Sequence, residues 1–333
     1  MLSEALDVAS ASAFMQASFA VIAILGLWLG AEAASRFASA LAVKLGLSTL
    51  IIGLTLVSVA SSLPEIFVNV AAAWKGDDNV AAGNVVGSCF VQIAFVLGLC
   101  AIIARELKIE RHELARDGTM VVAANVAMLA VILDGRISII EGVTLVIAYA
   151  AYMAWLISTA MQQTTGAQNA PARTNDPDTS VTESGWFYAV ATFGSVLLVW
   201  AMADVLVAIG KSAGEAAGLS DGLIGLWVGV GTTFPELVIS VAAILRGASG
   251  LSLGNLLGSN VTDPLLSLGI GVIAGSGLLV TGFITVATLV WLATTLLAIG
   301  ALAVFGQLRR SSGIALIAAY VVGQTYLVQI QAL

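Results

Sequence analysis

The sequence carries few charges for its length. Asp, Glu, Lys and Arg make up 10% of its 333 residues and hydrophobic residues 59%, whereas a soluble domain carries roughly 25% charged residues. So few charges cannot cover a surface that faces water, and the composition therefore excludes a soluble fold. The alternating segments of about ten residues that mark an outer-membrane barrel are also missing. We therefore predict an all-α membrane protein with many spanning helices.

Histidine and cysteine are scarce. The single histidine, His112, lies among charged residues, which favours a solvated loop or a helix end. The two cysteines, Cys89 and Cys100, lie in apolar stretches. Their spacing fits neither a metal motif nor a disulfide within one helix, so we expect both to be small packing residues. Without a thiolate cluster or a membrane histidine, a Zn²⁺ or Cu⁺ site is not expected.

Basic residues are also in deficit. The chain has 13 Lys and Arg against 20 Asp and Glu, a net charge of −7. This balance argues against nucleic acid as a partner. The first residues, MLSEALDVAS, are acidic and lack a basic region, so we do not expect a cleaved signal peptide.

Long apolar runs are abundant. A spanning helix needs about 20 apolar residues, and ten runs come close to or exceed that length. They lie at residues 11–40, 47–74, 78–103, 118–134, 137–161, 186–214, 221–246, 250–277, 281–305 and 312–332. The polar segment 162–185 has no apolar period and is interpreted as a flexible linker. We therefore expect two five-helix units, residues 1–161 and 186–333.

The placement of Lys and Arg predicts the orientation in the membrane. If residue 1 lies outside, three basic residues fall outside, namely Lys75, Arg136 and Lys211. The other ten fall at cytoplasmic ends: Arg36, Lys44, Arg105, Lys108, Arg111, Arg116, Arg173, Arg246, Arg309 and Arg310. We expect a multi-pass protein of the cell (inner) membrane with both termini extracytoplasmic and the linker cytoplasmic.

The two halves resemble each other in sequence. SSLPEIFVNVAAAWKGDDNVAAGNVVGSCFVQ (61–92) aligns without a gap with TTFPELVISVAAILRGASGLSLGNLLGSNVTD (232–263), at a constant offset of 171. A Pro-Glu pair and a GN-x-x-GS motif recur in both segments. Because five spans is an odd number, the second half enters the membrane from the opposite side. The alignment therefore predicts an inverted-topology repeat.

Each half places a proline and a carboxylate where lipid is expected. Proline has no N–H and frees the carbonyl four residues earlier, that of Ala60 in one half and Gly231 in the other. A helix broken at membrane depth is tolerated where it lines a polar cavity. A charged side chain at that depth costs at least about 2.5–3.5 kcal/mol, so Glu65 and Glu236 imply a bound cation or proton.

A polar stripe follows each Pro-Glu pair. Asn84, Ser88 and Gln92 share one helix face, because residues four apart are neighbours on a helix. The second half repeats this stripe with Asn255, Ser259 and Asp263. The carboxylates, hydroxyls, amides and freed carbonyls of the two halves all offer oxygen atoms as ligands. Such a set favours a hard cation such as Ca²⁺, which takes about 6–8 oxygens, or Na⁺.

These motifs resemble those of the cation/calcium exchanger superfamily, which includes the sodium/calcium exchangers. The resemblance covers the ten-span layout and is most specific in the two α-repeats, residues 53–98 and 225–269. Members carry G-[TS]-[ST]-x-P-E and G-N-x-x-G-S-N-x-x-[ND], which the second repeat matches as GTTFPE and GNLLGSNVTD. The resemblance implies that Glu65 and Glu236 are the central Ca²⁺ ligands. It also implies that the central and flanking cation sites are completed by Asp263, Ser61, Ser62, Ser88, Thr232, Thr233 and Ser259.

The first repeat departs from the family pattern at three positions. Ala60 replaces Gly, Cys89 replaces Asn, and Gln92 stands where Asn is usual. Replacing Gly by Ala at position 60 changes the site little if only the backbone carbonyl binds the ion. Cys89, in contrast, lacks the amide side chain of Asn. Gln92 keeps an amide oxygen on a longer arm, so we expect it among the metal ligands.

The function implied is secondary antiport, in which Ca²⁺ and Na⁺ compete for one site that faces each side of the membrane in turn. Glutamates also hold protons, so Ca²⁺/H⁺ antiport stays open, as does K⁺-dependent Na⁺/Ca²⁺ exchange. An internal inverted repeat gives one chain its own site, which favours a carrier that works as a single chain over a multi-subunit channel. We expect no cofactor. GxSxG, HExxH and paired membrane aspartates are missing from the sequence, so we do not expect an enzyme.

Overall fold

Ten helices in the part of the chain that the structure describes are long and apolar enough to cross a membrane, as predicted. The computed structural model describes Ser3 and residues 13–166, 183–216 and 221–331. The helices are α1 (Ala13–Leu45), α2 (Thr49–Lys75), α3 (Asp78–Ala104), α4 (Arg111–Ile132), α5 (Ile139–Gly166), α6 (Gly185–Ala216), α7 (Asp221–Thr232 and Phe234–Leu245), α8 (Ser249–Ala274), α9 (Gly282–Phe305) and α10 (Arg310–Gln331).

In the described part of the chain, two short strand pairs join the connections between helices. Strand β1 (Glu106–Lys108) pairs antiparallel with β4 (Gln307–Arg309), and β2 (Arg136–Ile137) pairs antiparallel with β3 (Leu278–Leu279). The first pair links the α3–α4 and α9–α10 connections, and the second links the α4–α5 and α8–α9 connections. The repeat offset relates β1 to β3 and β2 to β4. The two pairs are therefore counterparts on opposite sides of the molecule, as an inverted repeat requires.

Helices α2 and α7 are broken at the prolines, as the sequence predicts. In α2 the break lies at Ser62, and Pro64 occupies the first turn of the half-helix that follows. In α7 the break lies at Thr233, with Pro235 in the same position. Proline suits the first turn because an N–H there would have no partner within the helix. The sequence therefore fixes the start of each second half-helix.

Among the residues that the structure describes, four helices contain π-helical turns that the sequence pattern does not predict. Turns of this kind are rare and are found mostly at functional sites. In α8 the turn begins at Asp263, next to Pro264, which cannot donate a backbone hydrogen bond. The four turns are Gly53–Val57, Val91–Val96, Leu114–Gly118 and Asp263–Ser267.

The central helices pack across the two repeats. Helix α2 lies against α8, and α3 lies against α7. A Cβ atom at Gly254 of α8 would lie 2.2 Å from the carbonyl oxygen of Leu50, and one at Gly87 would lie 2.2 Å from that of Leu226. The backbones therefore touch at glycines, as is usual where membrane helices approach closely.

This contact predicts that Gly254→Ala destabilises the protein. The added methyl group meets backbone rather than a flexible side chain, so α2 and α8 must move apart, at a cost of about 1–3 kcal/mol. Gly300→Ala in α9 is the matched control, because nothing lies within 4 Å of the added atom. Thermal unfolding in detergent measures both. Equal midpoints for the two variants would contradict close packing at Gly254.

The largest difference from a predicted boundary lies at the start of α4. The fourth run was predicted at residues 118–134, but α4 begins at Arg111. Arg116 and Asp117 interrupt the apolar run, and they form a bidentate ion pair at 2.6 and 2.8 Å in which Asp117 is fully buried. This pairing lets charged residues lie inside a spanning helix. His112 lies in the first turn of α4, is largely exposed and contacts Glu110, in line with the prediction.

Most of the predicted linker, residues 162–185, lies outside the described residues. Helix α5 continues to Gly166, and α6 begins at Gly185. The proposed division of the chain at this linker therefore stays a prediction.

Candidate cation site

Every sequence-predicted site residue lies at the crossing of α2, α3, α7 and α8. Each is at most 2% exposed. Helix α2 supplies Ser61, Ser62 and Glu65; α3 supplies Ser88 and Gln92; α7 supplies Thr232, Thr233 and Glu236; and α8 supplies Ser259 and Asp263. The fold therefore brings the two repeated segments, which are far apart in sequence, into one buried polar cluster.

The two glutamates occupy equivalent positions. Glu65 and Glu236 each lie in the first turn of the half-helix that follows a break. The N-terminus of a helix carries a partial positive charge that favours a carboxylate. Ser88 donates to Glu65 at 3.3 Å, and Ser259 donates to Glu236 at 3.5 Å. Each glutamate is thus held by the serine of its own repeat.

Two asparagines fix the backbone at the glutamates. The Nδ2 atom of Asn84 donates to the carbonyl of Glu65 at 3.5 Å and to Asn69 at 2.9 Å. Asn255 does the same for the carbonyl of Glu236 at 3.5 Å, and donates to Ser240 at 3.0 Å. Asn69 and Ser240 were not predicted. The offset of 171 relates them, and that relation is the signal that could have found them.

Hydroxyl groups connect the two repeats. Ser61 donates to Oδ1 of Asn255 at 3.0 Å, and Thr232 donates to Oδ1 of Asn84 at 3.2 Å. Ser62 also crosses over and donates to Glu236 at 3.5 Å. The asparagine that supports each glutamate therefore accepts a hydrogen bond from the opposite repeat. A shift of one repeat against the other would break these bonds.

Asp263 and Gln92 are counterparts in the repeat and contact each other directly. The Nε2 atom of Gln92 donates to Oδ2 of Asp263 at 3.0 Å, and the thiol of Cys89 lies 3.9 Å from the same oxygen. The Oε1 atom of Gln92 accepts from Asn260 at 2.7 Å. Gln92 was predicted as an oxygen ligand, but here its nitrogen faces the carboxylate. The nitrogen of Gln92 faces Asp263 because its oxygen faces the donor of Asn260.

Three carboxylate oxygens in the cluster are buried and have no hydrogen-bond partner. They are Oε2 of Glu65, Oε2 of Glu236 and Oδ1 of Asp263. A buried charge without a partner is very costly, so this arrangement calls for cations or protons. Within the described ranges, no three His, Cys, Asp or Glu side chains form a metal site by themselves. Hydroxyl, amide and carbonyl oxygens would therefore have to supply many of the ligands.

Comparisons with known proteins show the family of the chain. A family model described as sodium/calcium exchanger protein matches residues 16–158 and 187–328. The chain belongs to the sodium/calcium exchanger family. Members of this family are membrane transporters that exchange cations, and the ten helices make this chain an integral, multi-pass member.

Individual relatives cover most of the exchanger chain. It is 29% identical over 270 residues to the putative antiporter CaxA of Alkalimonas amylolytica, which is 78% of this chain and 82% of the relative. It is 28% identical over 292 residues to the sodium/calcium exchanger MaX1 of Methanosarcina acetivorans, covering 75% and 81%. A solved structure of the sodium-calcium exchanger NCX_Mj matches with a TM-score of 0.76 and 26% identity, covering 93% of this chain and 97% of that one.

Proposed function

We propose that this exchanger carries Ca²⁺ out of the cytoplasm in exchange for Na⁺, and that both ions use the buried cluster in turn. The observation that carries the proposal is the set of three buried carboxylate oxygens without partners, on Glu65, Glu236 and Asp263. Hydroxyl and amide oxygens surround them, and such ligands suit Ca²⁺ and Na⁺ rather than softer metals. The names of MaX1 and NCX_Mj support the same pair of ions.

Each predicted site residue receives a role in this proposal. Glu65 and Glu236 hold the central Ca²⁺, and Asp263 holds a flanking Na⁺. The hydroxyls of Ser61, Ser62, Ser88, Thr232, Thr233 and Ser259 complete the central and flanking sites. Gln92 donates to Asp263, and its oxygen, which accepts from Asn260 and has a second lone pair, is a further ligand for that site.

Alternating access is explained by the fact that the ligands come from both repeats. Both repeats contribute to the cluster, and the hydrogen bonds of Ser61 and Thr232 join one repeat to the other. Rocking one bundle against the other would exchange these bonds and open the cluster to the opposite side. The breaks at Ser62 and Thr233 provide the hinge positions.

The orientation and location belong to the same proposal. With ten of the 13 Lys and Arg at cytoplasmic ends, both termini face outward and residues 162–185 lie in the cytoplasm. We place the protein in the cell (inner) membrane. We expect a single chain, with two five-helix units joined by this linker, to transport by itself.

Gradient-driven flux in proteoliposomes tests the coupling ion. An outward Na⁺ gradient is expected to drive Ca²⁺ uptake, whereas a pH gradient or a K⁺ gradient of equal size is not. The membrane potential is held at zero in every arm, and protein-free liposomes are the control. Uptake driven by the pH gradient alone would show that H⁺, and not Na⁺, is the coupling ion. A requirement for K⁺ in addition to Na⁺ would indicate K⁺-dependent exchange.

A further inference from the structure

Cys89 places a thiol beside a carboxylate of the cation cluster. Its Sγ atom lies 3.9 Å from Oδ2 of Asp263, and both side chains are fully buried. The other oxygen of this carboxylate, Oδ1, has no hydrogen-bond partner. A buried sulfur and a buried carboxylate that lacks a partner therefore meet at one place.

The inverted repeat accounts for the orientation of Cys89. At the offset of 171, Cys89 corresponds to Asn260, and Gln92 corresponds to Asp263. The contact between Cys89 and Asp263 is therefore the counterpart of the contact between Asn260 and Gln92, in which Nδ2 donates to Oε1 at 2.7 Å. In both halves this position faces the last residue of the opposite polar stripe, and in the first half it carries sulfur.

The separation of the two atoms suits two ligands of one metal ion. Ligands at about 2.3–2.6 Å from an ion lie roughly 3.3–5 Å apart when the angle between them is a right angle or wider. The 3.9 Å between Sγ of Cys89 and Oδ2 of Asp263 falls within this range. Because no group of three His, Cys, Asp or Glu forms a metal site in the described ranges, the remaining ligands would be hydroxyl, amide or carbonyl oxygens.

We propose that Cys89 gives the cluster an affinity for soft divalent cations, for which Cd²⁺ is the probe. Cd²⁺ is close to Ca²⁺ and Na⁺ in size, but it bonds strongly to thiolate sulfur, whereas Ca²⁺ takes oxygen ligands. Cys89 and Asp263 bind the ion together, and the proton of the thiol is released as the metal binds. This proposal rests on the part of the proposed function in which divalent cations enter the cluster.

The departure from the family pattern at Cys89 thereby changes the selectivity of the cluster. The usual Asn offers an amide at this position, and an amide has no soft ligand atom. Sulfur in its place favours softer metals over Ca²⁺ and Na⁺. Bound Cd²⁺ occupies Asp263, which the proposed exchange cycle needs, so Cd²⁺ should block Na⁺-driven Ca²⁺ flux.

The two cysteines of the chain allow a matched test. Cys89→Ser replaces sulfur by oxygen at the cluster, whereas Cys100→Ser does so where the thiol contacts the hydroxyl of Ser252 at 3.6 Å. Purified protein in detergent is titrated with Cd²⁺, and the ultraviolet charge-transfer band of a Cd–S bond is followed. We expect this band in the unsubstituted protein and in Cys100→Ser, and its loss in Cys89→Ser. A packing role of Cys89 would not produce the band.

Transport gives a second measurement. The Cd²⁺ concentration that halves Na⁺-driven Ca²⁺ uptake in proteoliposomes is divided by the apparent KM for Ca²⁺, so that an effect common to both ions cancels. This ratio should rise by about tenfold or more in Cys89→Ser, because residues that only support metal ligands already change metal affinity by about 10–100-fold. Cys100→Ser should leave the ratio unchanged. If Cys89→Ser does not fold, Cys89→Ala takes its place.

The two measurements separate this site from the proposed function. A Cd–S band that persists in Cys89→Ser, or a ratio that this variant leaves unchanged, would overturn the soft-cation site. A band that disappears in Cys100→Ser, or no band in the unsubstituted protein, would overturn it as well. None of these results affects Na⁺-driven Ca²⁺ exchange. If the unsubstituted protein shows a band that depends on Cys89 but no Na⁺-driven Ca²⁺ flux, the proposed function fails and the Cd²⁺ site stands.

Discussion

Glu65→Gln is expected to abolish Ca²⁺ exchange. Glu65 is fully buried, and one of its two carboxylate oxygens has no partner other than the proposed ion. Removing one partner of a buried charge pair costs about 3–5 kcal/mol, which corresponds to a loss of about a hundredfold or more. The repeat predicts the same result for Glu236→Gln. Na⁺-driven Ca²⁺ uptake in proteoliposomes measures both variants.

The fold should survive this substitution. Without an ion, Gln in place of Glu65 removes a buried charge that lacks a full set of partners, so the unfolding temperature should stay equal or rise. The stabilisation that Ca²⁺ gives the unsubstituted protein by binding its folded state should disappear. Glu106→Gln is the matched control, because its side chain is half exposed and pairs with Lys108 at 3.0 Å. Uptake by Glu65→Gln within about threefold of this control would rule out Glu65 as a central ligand.

Asp263→Asn is expected to change the charge moved in each cycle. The cluster contains three buried carboxylates, on Glu65, Glu236 and Asp263. An equal number of Na⁺ ions would neutralise them, whereas one Ca²⁺ leaves one negative charge. Without the carboxylate of Asp263, one Na⁺ fewer should move for each Ca²⁺. In a tenfold Na⁺ gradient each Na⁺ supplies about 1.4 kcal/mol, so the limiting Ca²⁺ gradient should fall about tenfold at zero membrane potential.

The current that accompanies exchange measures this change directly. In the proposed count, three Na⁺ against one Ca²⁺ carry one net charge, whereas two Na⁺ against one Ca²⁺ carry none. The current should therefore disappear in Asp263→Asn while Na⁺-driven Ca²⁺ flux continues, and the unfolding temperature should stay close to that of the unsubstituted protein. Asp134→Asn is the control, because Asp134 is exposed and only accepts from the backbone N–H of Arg136. An exchange current that persists in Asp263→Asn with the same charge for each Ca²⁺ would mean that Asp263 takes no part in the coupling.

The layout of this protein could be predicted from the sequence because two strong signals agree. Apolar length gives the ten spans, and the offset of 171 relates the two halves. The same offset predicted that Pro64 and Pro235 break equivalent helices, which the structure confirms. The start of α4 was missed because hydropathy counts Arg116 and Asp117 as two charges. It does not register that they neutralise each other.

The fine structure of the site could be predicted only in part. Repeated residues indicate which side chains converge, but not which way an amide faces. Gln92 was predicted to be an oxygen ligand, but which end of its amide faces Asp263 depends on Asn260, which donates to the oxygen of Gln92. Asn260 is itself oriented by the carbonyl of Leu256 and by the indole N–H of Trp291, and Trp291 lies outside both repeated motifs. Orientation therefore depends on tertiary contacts that a motif does not contain.

Anomalous diffraction from crystals soaked in Ca²⁺ tests most directly whether the two repeats form one cation site. We predict a peak between the half-helices of α2 and α7, within about 2.3–2.6 Å of carboxylate oxygens of both Glu65 and Glu236. The peak should disappear when Na⁺ replaces Ca²⁺ in the soak. A Ca²⁺ peak that touches neither glutamate, or one that persists at high Na⁺, would contradict a shared site for the two ions.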